Sequence, residues 1–159
     1  LKAAKAFVQY EQDVLVSMLT MIGDDRIIAS DCEAARQAFN DAHRLIERHD
    51  GCVCTIVTHP ETLKRLAPHL SGFYNGRRIY TADVLEVYDP RLLGRAYCLA
   101  ERHYVGVVAE RQAMTCMELP DGEESVAFYD VGFALVNAGT MVSGIAFRDA
   151  AAPSISAGD

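Results

Sequence analysis

Between Gly94 and Glu118 the chain reads GRAYCLAERHYVGVVAERQAMTCME, and this stretch restricts the fold more than any other. Tyr97, Leu99, Tyr104, Val105, Val107 and Val108 are aromatic, β-branched or aliphatic, types that suit a half-buried pleated surface. Two charged pairs, Glu101-Arg102 and Glu110-Arg111, interrupt them. The pattern predicts two or three strands, each buried on one side, with solvated breaks at the charged pairs. A long helix is excluded, and the half of the chain it opens carries most of the strand signal.

Upstream, the periodicity is helical. Phe7, Tyr10, Val14, Met18 and Met21 recur at spacings of three and four, which predicts a helix over 1–19 with one apolar stripe, ended by Gly23 and the polar Asp24-Asp25-Arg26. Ser30 or Asp31 can cap a second helix. Its apolar face is Ala35, Ala38, Phe39, Ala42, Leu45 and Ile46, so Phe39 and Leu45 are expected core residues, and Gly51 is expected to stop it. Cys52–Thr58 (CVCTIVT) reads as a short buried strand. Pro60 then opens a third helix lined by Leu63, Leu66, Ala67 and Leu70 and shortened by Pro68.

Asn75-Gly76-Arg77-Arg78 is a polar loop before Ile79-Tyr80 and the strand-like Val84–Tyr88, and Asp89-Pro90 is a turn. Pro120-Asp121-Gly122 signals a hairpin. Beyond it the alternation changes phase: Val126 and Phe128 are even, Val131, Phe133 and Leu135 odd, which predicts a bulge near Tyr129-Asp130. Asn137–Thr140 is a turn and Met141–Phe147 a last strand, followed by a tail expected to be mobile over 149–159.

The net charge of −7 argues against a general nucleic-acid surface, because phosphate binding needs clustered Lys and Arg. An acidic chain can still line a container that must not stick to its contents. No run of apolar residues is long enough for a transmembrane helix, no signal peptide is visible, and no membrane partner is expected. The chain starts at Leu1 directly in a helical pattern, so residues are expected to precede it. The five cysteines form no paired framework, which points to free thiols in a reducing compartment.

Candidate chemistry is thin. Cys52, Cys54 and His59 could offer three zinc ligands, with Cys98 or His103 as a fourth. On a strand Cys52 and Cys54 would share a face about 7 Å apart, but His59 falls beyond the strand end. Cys98 and His103 could be nucleophile and base, yet five residues along strands do not bring them together. Glu101, Glu110, Glu118 and Asp83 form no acid–base pair. Glycine-rich phosphate loops are absent. No catalytic, cofactor-binding or metal site is therefore expected. Arg77, Arg78, Arg91, Arg95, Arg102 and Arg111 read either as solvated charge or as interfacial ion-pair partners.

The order of pieces is similar to a known family. A helix carrying Glu11-Gln12-Asp13 is followed by an amphipathic helix, by IVTHPETLKRL (Ile56–Leu66), by short strands, by GRAYCLAERHYVGVVAERQ, and by a strand with Ala134–Ala138. Most of Leu1–Phe147 thereby resembles, in pattern and short phrases, the C-terminal portion of tailed-bacteriophage major capsid proteins, the Hong Kong 97-type fold shared with encapsulins. The resemblance implies an α+β fold of axial and peripheral domains, with a mixed or antiparallel sheet flanked by helices. Residues 1–30 would end the spine helix and connect onward in the peripheral domain. Residues 31–93 would form the axial domain, and 94–148 strands returning to the peripheral domain.

The resemblance further implies a structural protein, not an enzyme, with no cofactor. Copies would associate into pentamers and hexamers of an icosahedral virion shell assembled in the host cytoplasm. The shell would enclose nucleic acid without sequence-specific contact and would meet scaffolding, portal or decoration proteins. The alternative reading is a small α/β enzyme or ligand-binding domain using the Cys and His residues.

Overall fold

The computed structural model describes residues 2–22, 26–100, 106–118, 125–135 and 142–151. Its centre is a six-stranded mixed sheet. In chain order the elements are α1 (Lys2–Thr20), β1 (Ile27–Ser30), α2 (Ala35–Glu47), β2 (Val53–Thr58), α3 (Pro60–Leu66), β3 (Arg78–Ile79), β4 (Ala82–Glu86), β5 (Arg95–Ala100), β6 (Gly106–Glu118), β7 (Ser125–Leu135) and β8 (Val142–Phe147). Short 3₁₀ turns at Cys32–Ala34, Ala67–His69 and Pro90–Leu92 link them. The sheet order is β1-β8-β5-β2-β4-β3, and β6 pairs with β7 in a separate antiparallel ribbon. The pairs β1–β8 and β2–β4 are parallel; β8–β5, β5–β2 and β4–β3 are antiparallel.

Alternation along the central strands sorts side chains onto two covered faces. On one, Ile56, Ala96, Cys98, Ile145 and Phe147 pack against Phe39, Ala42 and Ile46 of α2 and Leu63 and Leu66 of α3. On the other, Val57, Tyr97 and Val142 meet Val16 and Leu19 of α1, with Ile22, Val87 and Leu92 around them. Tyr97 lies across Gly144 of β8, where an added Cβ would come within 3.1 Å of the ring. The predicted mixed sheet flanked by helices is thus what the chain builds.

Several local expectations need correction. α1 buries Val16 and Leu19, while Tyr10 and Met21 of the predicted stripe are exposed. The C-terminal half of the helix packs on the sheet through Val16 and Leu19, with Leu15 beside them. In α2, Leu45 is 40% exposed and Ile46 takes the core position. At 3.6 residues per turn Ile46 returns to within about 20° of Phe39, whereas Leu45 points about 120° away. The helix is stopped by Asp50, which adopts a positive φ of 60°, and not by Gly51, whose N–H donates to the Ile46 carbonyl at 3.1 Å. β1 has no counterpart among the predicted elements.

The Glu110-Arg111 pair does not break the strand; it lies inside β6, at a register shift. The irregularity predicted near Asp130 is there, but on the partner strand: Val131 and Asp130 face Glu110 and Gln112, so the extra residue belongs to β6. Glu101-Arg102, the Pro120-Asp121-Gly122 turn and the Asn137–Thr140 turn lie outside the described residues.

The segment after β8 is part of the packed body as far as it is described. Ala150 is buried, the Cys32 N–H donates to Asp149 Oδ1 at 2.8 Å, and Arg65 Nη1 donates to the Asp149 carbonyl at 2.8 Å. Of the tail expected over 149–159, the first three residues are described and seated here, and 152–159 lie outside the described residues. Gly94, at a φ of 73°, accommodates that segment: a Cβ there would stand 2.7 Å from the Ala151 backbone.

Candidate interaction surface

The edge of the sheet at β4 is the feature that hydrophobic burial leaves unexplained. β3 is only two residues long and pairs with Ala82 and Asp83; the Val84 N–H still donates to the Arg77 carbonyl at 2.9 Å, and beyond that point β4 has no outer strand partner among the described residues. Leu85, 46% exposed, and Tyr88, 80% exposed, are apolar surfaces at this edge. Beside them Gly76, Arg77, Asp83, Val84 and Glu86 line an open hollow of about 380 Å³. An unpaired strand edge with exposed apolar side chains is a template for another polypeptide.

The short β3–β4 hairpin is held down firmly for its size. Tyr80, at the turn, sits at a φ of 55°, which is costly for a residue with a Cβ. Its ring packs on Phe73 at 4.7 Å and on His43 at 5.3 Å, and its hydroxyl donates to the Arg36 carbonyl at 3.1 Å. The Arg36 guanidinium in turn covers Phe73 at 4.4 Å. Asn75 Oδ1 accepts from the backbone N–H groups of Arg77 and Arg78. The edge is therefore presented on a fixed turn.

The arginines named from the sequence divide in two. Arg78 is committed to Asp83 at 2.8 Å, and Arg91 to Asp89 at 2.7 Å and Asp13 at 2.6 Å. Hydrogen bonding from Arg91 holds the Asp89 carboxyl below the usual carboxylate range, with burial working against it. Arg91 also donates to Ser17 Oγ, so it fastens α1 to the turn after β4. Arg95 contacts the Tyr97 hydroxyl at 3.3 Å. Among the described residues Arg77 makes no ion pair and stays available beside the hollow. Arg102 lies outside the described residues, as does the side chain of Arg111.

Among the described residues the cysteines and histidines do not converge. Cys52 is exposed just before β2, Cys54 is half-buried on it, and Cys32 and Cys98 are buried. Among the described residues no three His, Cys, Asp or Glu side chains are grouped to hold a metal ion. Burial pushes the Cys98 thiol up to about 12; burial, then the neighbouring Asp149, push Cys32 up to about 11. Neither supplies a thiolate at neutral pH. His59 accepts a hydrogen bond from the Glu61 N–H at 3.0 Å and caps α3. The sequence held that signal, since a His directly before a Pro that opens a helix occupies the capping position. His103 and the Cys116 side chain lie outside the described residues. Asp83 is spent on Arg78, the side chains of Glu110 and Glu118 fall outside the described residues, and so does Glu101. No helix of the described residues is long and apolar enough to cross a membrane.

No family model matches the chain, and no curated protein sequence does. Among solved structures, the crystal structure of a virus-like particle from Pyrococcus furiosus aligns with a TM-score of 0.55 at 17% identity. The two chains share a fold. The alignment covers 84% of this chain and 61% of the other, so this chain spans less than two thirds of its neighbour's length. At this identity the likeness lies in the arrangement of elements, with few side chains in common.

Proposed function

We propose that this chain is a shell subunit that works by self-association, and that it forms the C-terminal portion of a major capsid protein of the tailed-bacteriophage type. The observation that carries the reading is the fold shared with a virus-like particle over 84% of the chain. The ordered pieces of sequence that resemble Hong Kong 97-type capsid proteins support it independently. In this reading pentamers and hexamers of the chain close into an icosahedral virion head around DNA, assembled in the host cytoplasm. Its acidic balance, −7, keeps the enclosed polyanion from adhering. Scaffolding, portal and decoration proteins would be its further partners. The chain acts as a structural protein with no chemical step of its own.

The domain division follows the sheet. The proposed axial body is the six-stranded sheet with α2 and α3, and it includes β5 and β8, because β5 pairs with β2 and β8 with β5. The boundary expected at residue 93 falls between paired strands of one sheet, and in this proposal the strands returning to the peripheral part are taken from β6. The proposed peripheral part is α1 with the β6–β7 ribbon. Ring assembly requires a heterologous contact, in which one surface meets a different surface of the next copy. The open β4 edge, with Leu85 and Tyr88, Arg77 on one side and Glu86 on the other, is the surface we assign to a second copy.

The test is electron microscopy and light scattering of the purified full-length protein at low and moderate salt. Closed particles of uniform size are expected, and Leu85→Asp with Tyr88→Ser should reduce their yield at least tenfold while the circular dichroism spectrum is unchanged. A monodisperse monomer under every condition, with no particles in the expressing cells, refutes the shell reading.

A further inference from the structure

Two parallel strands end at one corner of the sheet, β2 at Thr58 and β4 at Glu86. His59 follows the first and Tyr88 the second. Their rings meet edge to face at 5.8 Å and 71°. His59 is extended, with φ −82° and ψ 141°, and its Nδ1 lies 3.0 Å from the Glu61 N–H. A backbone N–H can only donate, so Nδ1 must carry a lone pair and the ring proton must sit on Nε2. The cap therefore exists only while His59 is neutral. Histidine is also the side chain that ordinarily gains a proton between pH 8 and 5.

The charged groups around the ring are few. α3 contributes Glu61, ion-paired with Lys64 at 3.0 Å. The segment after β4 contributes Tyr88 and Asp89, the latter held by Arg91. β2 (VCTIVT) brings no charge.

We propose that His59 is a proton-operated latch on this corner, regulating the same surface through which copies associate. A proton from solvent takes the Nδ1 lone pair, and two N–H donors then face each other across the old hydrogen bond. The Glu61 N–H loses its acceptor, the imidazolium turns towards the Asp89 or Glu61 carboxylate, and the Tyr88 ring loses its partner. Tyr88 is the most exposed large side chain at the β4 edge, so the proton alters what that edge offers a second copy. The consequence for association rests on the shell reading; the latch itself does not.

Mass spectrometry tests the latch whether or not the chain is assembled. Exchange at the His59 ring C–H follows protonation, and backbone exchange of the Thr58–Leu66 segment follows the cap, both from pH 8 to pH 5. After correction for the intrinsic pH dependence of exchange, Glu61 should lose at least tenfold of its protection, with the midpoint of the His59 titration. His59→Asn, which caps without titrating in this range, should keep the protection throughout. A Glu61 amide whose protection is unchanged while His59 titrates overturns the latch, and so does an Asn variant that follows the wild type. Light scattering over the same range separates the two readings. Loss of Glu61 protection in a chain that never associates leaves the latch standing and refutes the shell.

Discussion

Truncating Phe39 and Leu45 to alanine separates the structure's account of α2 from the bare apolar pattern. Phe39 has no exposed surface, and its ring lies 6.0 Å from that of Phe147, itself buried on β8. Removing it leaves a hole between helix and sheet that close-packed neighbours fill only in part, at a cost of about 3–5 kcal/mol. Leu45 is 40% exposed and opens no enclosed cavity when shortened. About three carbons are lost, roughly three fifths of them from cover; at about 0.8 kcal/mol per buried CH₂ the cost is on the order of 1 kcal/mol. Urea unfolding of the isolated chain, followed by circular dichroism and tyrosine fluorescence, reads both, since the chain has no Trp. With a slope of about 2 kcal/mol per molar, Phe39→Ala should lower the midpoint by about 2 M and Leu45→Ala by about 0.5 M. Equal shifts, or a larger one for Leu45, would refute the assignment of the buried face.

Alkylation with N-ethylmaleimide at pH 8 should label Cys52 quickly and leave Cys98 and Cys32, with thiols raised to about 12 and 11, unlabelled until the chain unfolds. Peptide mapping checks this, and early Cys98 labelling would contradict its burial. Gly94→Ala should lower stability by about 1–3 kcal/mol, because the new Cβ meets the Ala151 backbone at a left-handed φ; an unchanged melting temperature would show that the segment after β8 is not seated there. Asp89 is held below its ordinary value by Arg91, so its stabilisation is present above the unfolded pKa of about 3.9 and fades as pH falls through the lower folded value. Arg91→Ala should accordingly melt below wild type at pH 7, with the two curves converging towards pH 3; parallel curves would mean that the pair contributes nothing.

The elements with a strong period and a punctuated end were legible in the sequence. α2, α3 from its Pro60, and β2 between Gly51 and Pro60 are where the residues put them. Leu45 was misplaced because an apolar residue one step from Ile46 satisfies the same spacing rule, and only the sheet decides which of them it covers. β1 is four residues, IIAS, too short to show a period, and its only strand partner among the described residues is β8, far along the chain. The candidate surface was half visible. Val84–Tyr88 reads as a strand, but nothing local says that β3 would stop after two residues and leave its edge bare. Likewise Arg91 looked available for a partner because one of its two partners, Asp13, is 78 residues away.

The pairing of β1 with β8 has a consequence during synthesis. The clasp that follows it, from Cys32 to Asp149, spans 117 residues. At roughly 5–20 residues per second, a ribosome needs on the order of 6–25 s to produce the stretch in between. Throughout that interval the nascent chain can hold at most β5-β2-β4-β3, with β5 bare on its far side and β1 without a neighbour. Release before Val142 thus removes two strands from the sheet, not one, because among the described residues β8 is the only bridge to β1. Fragments ending there should appear in cells as proteolysed or chaperone-bound material, and the sheet closes only once β8 has been made.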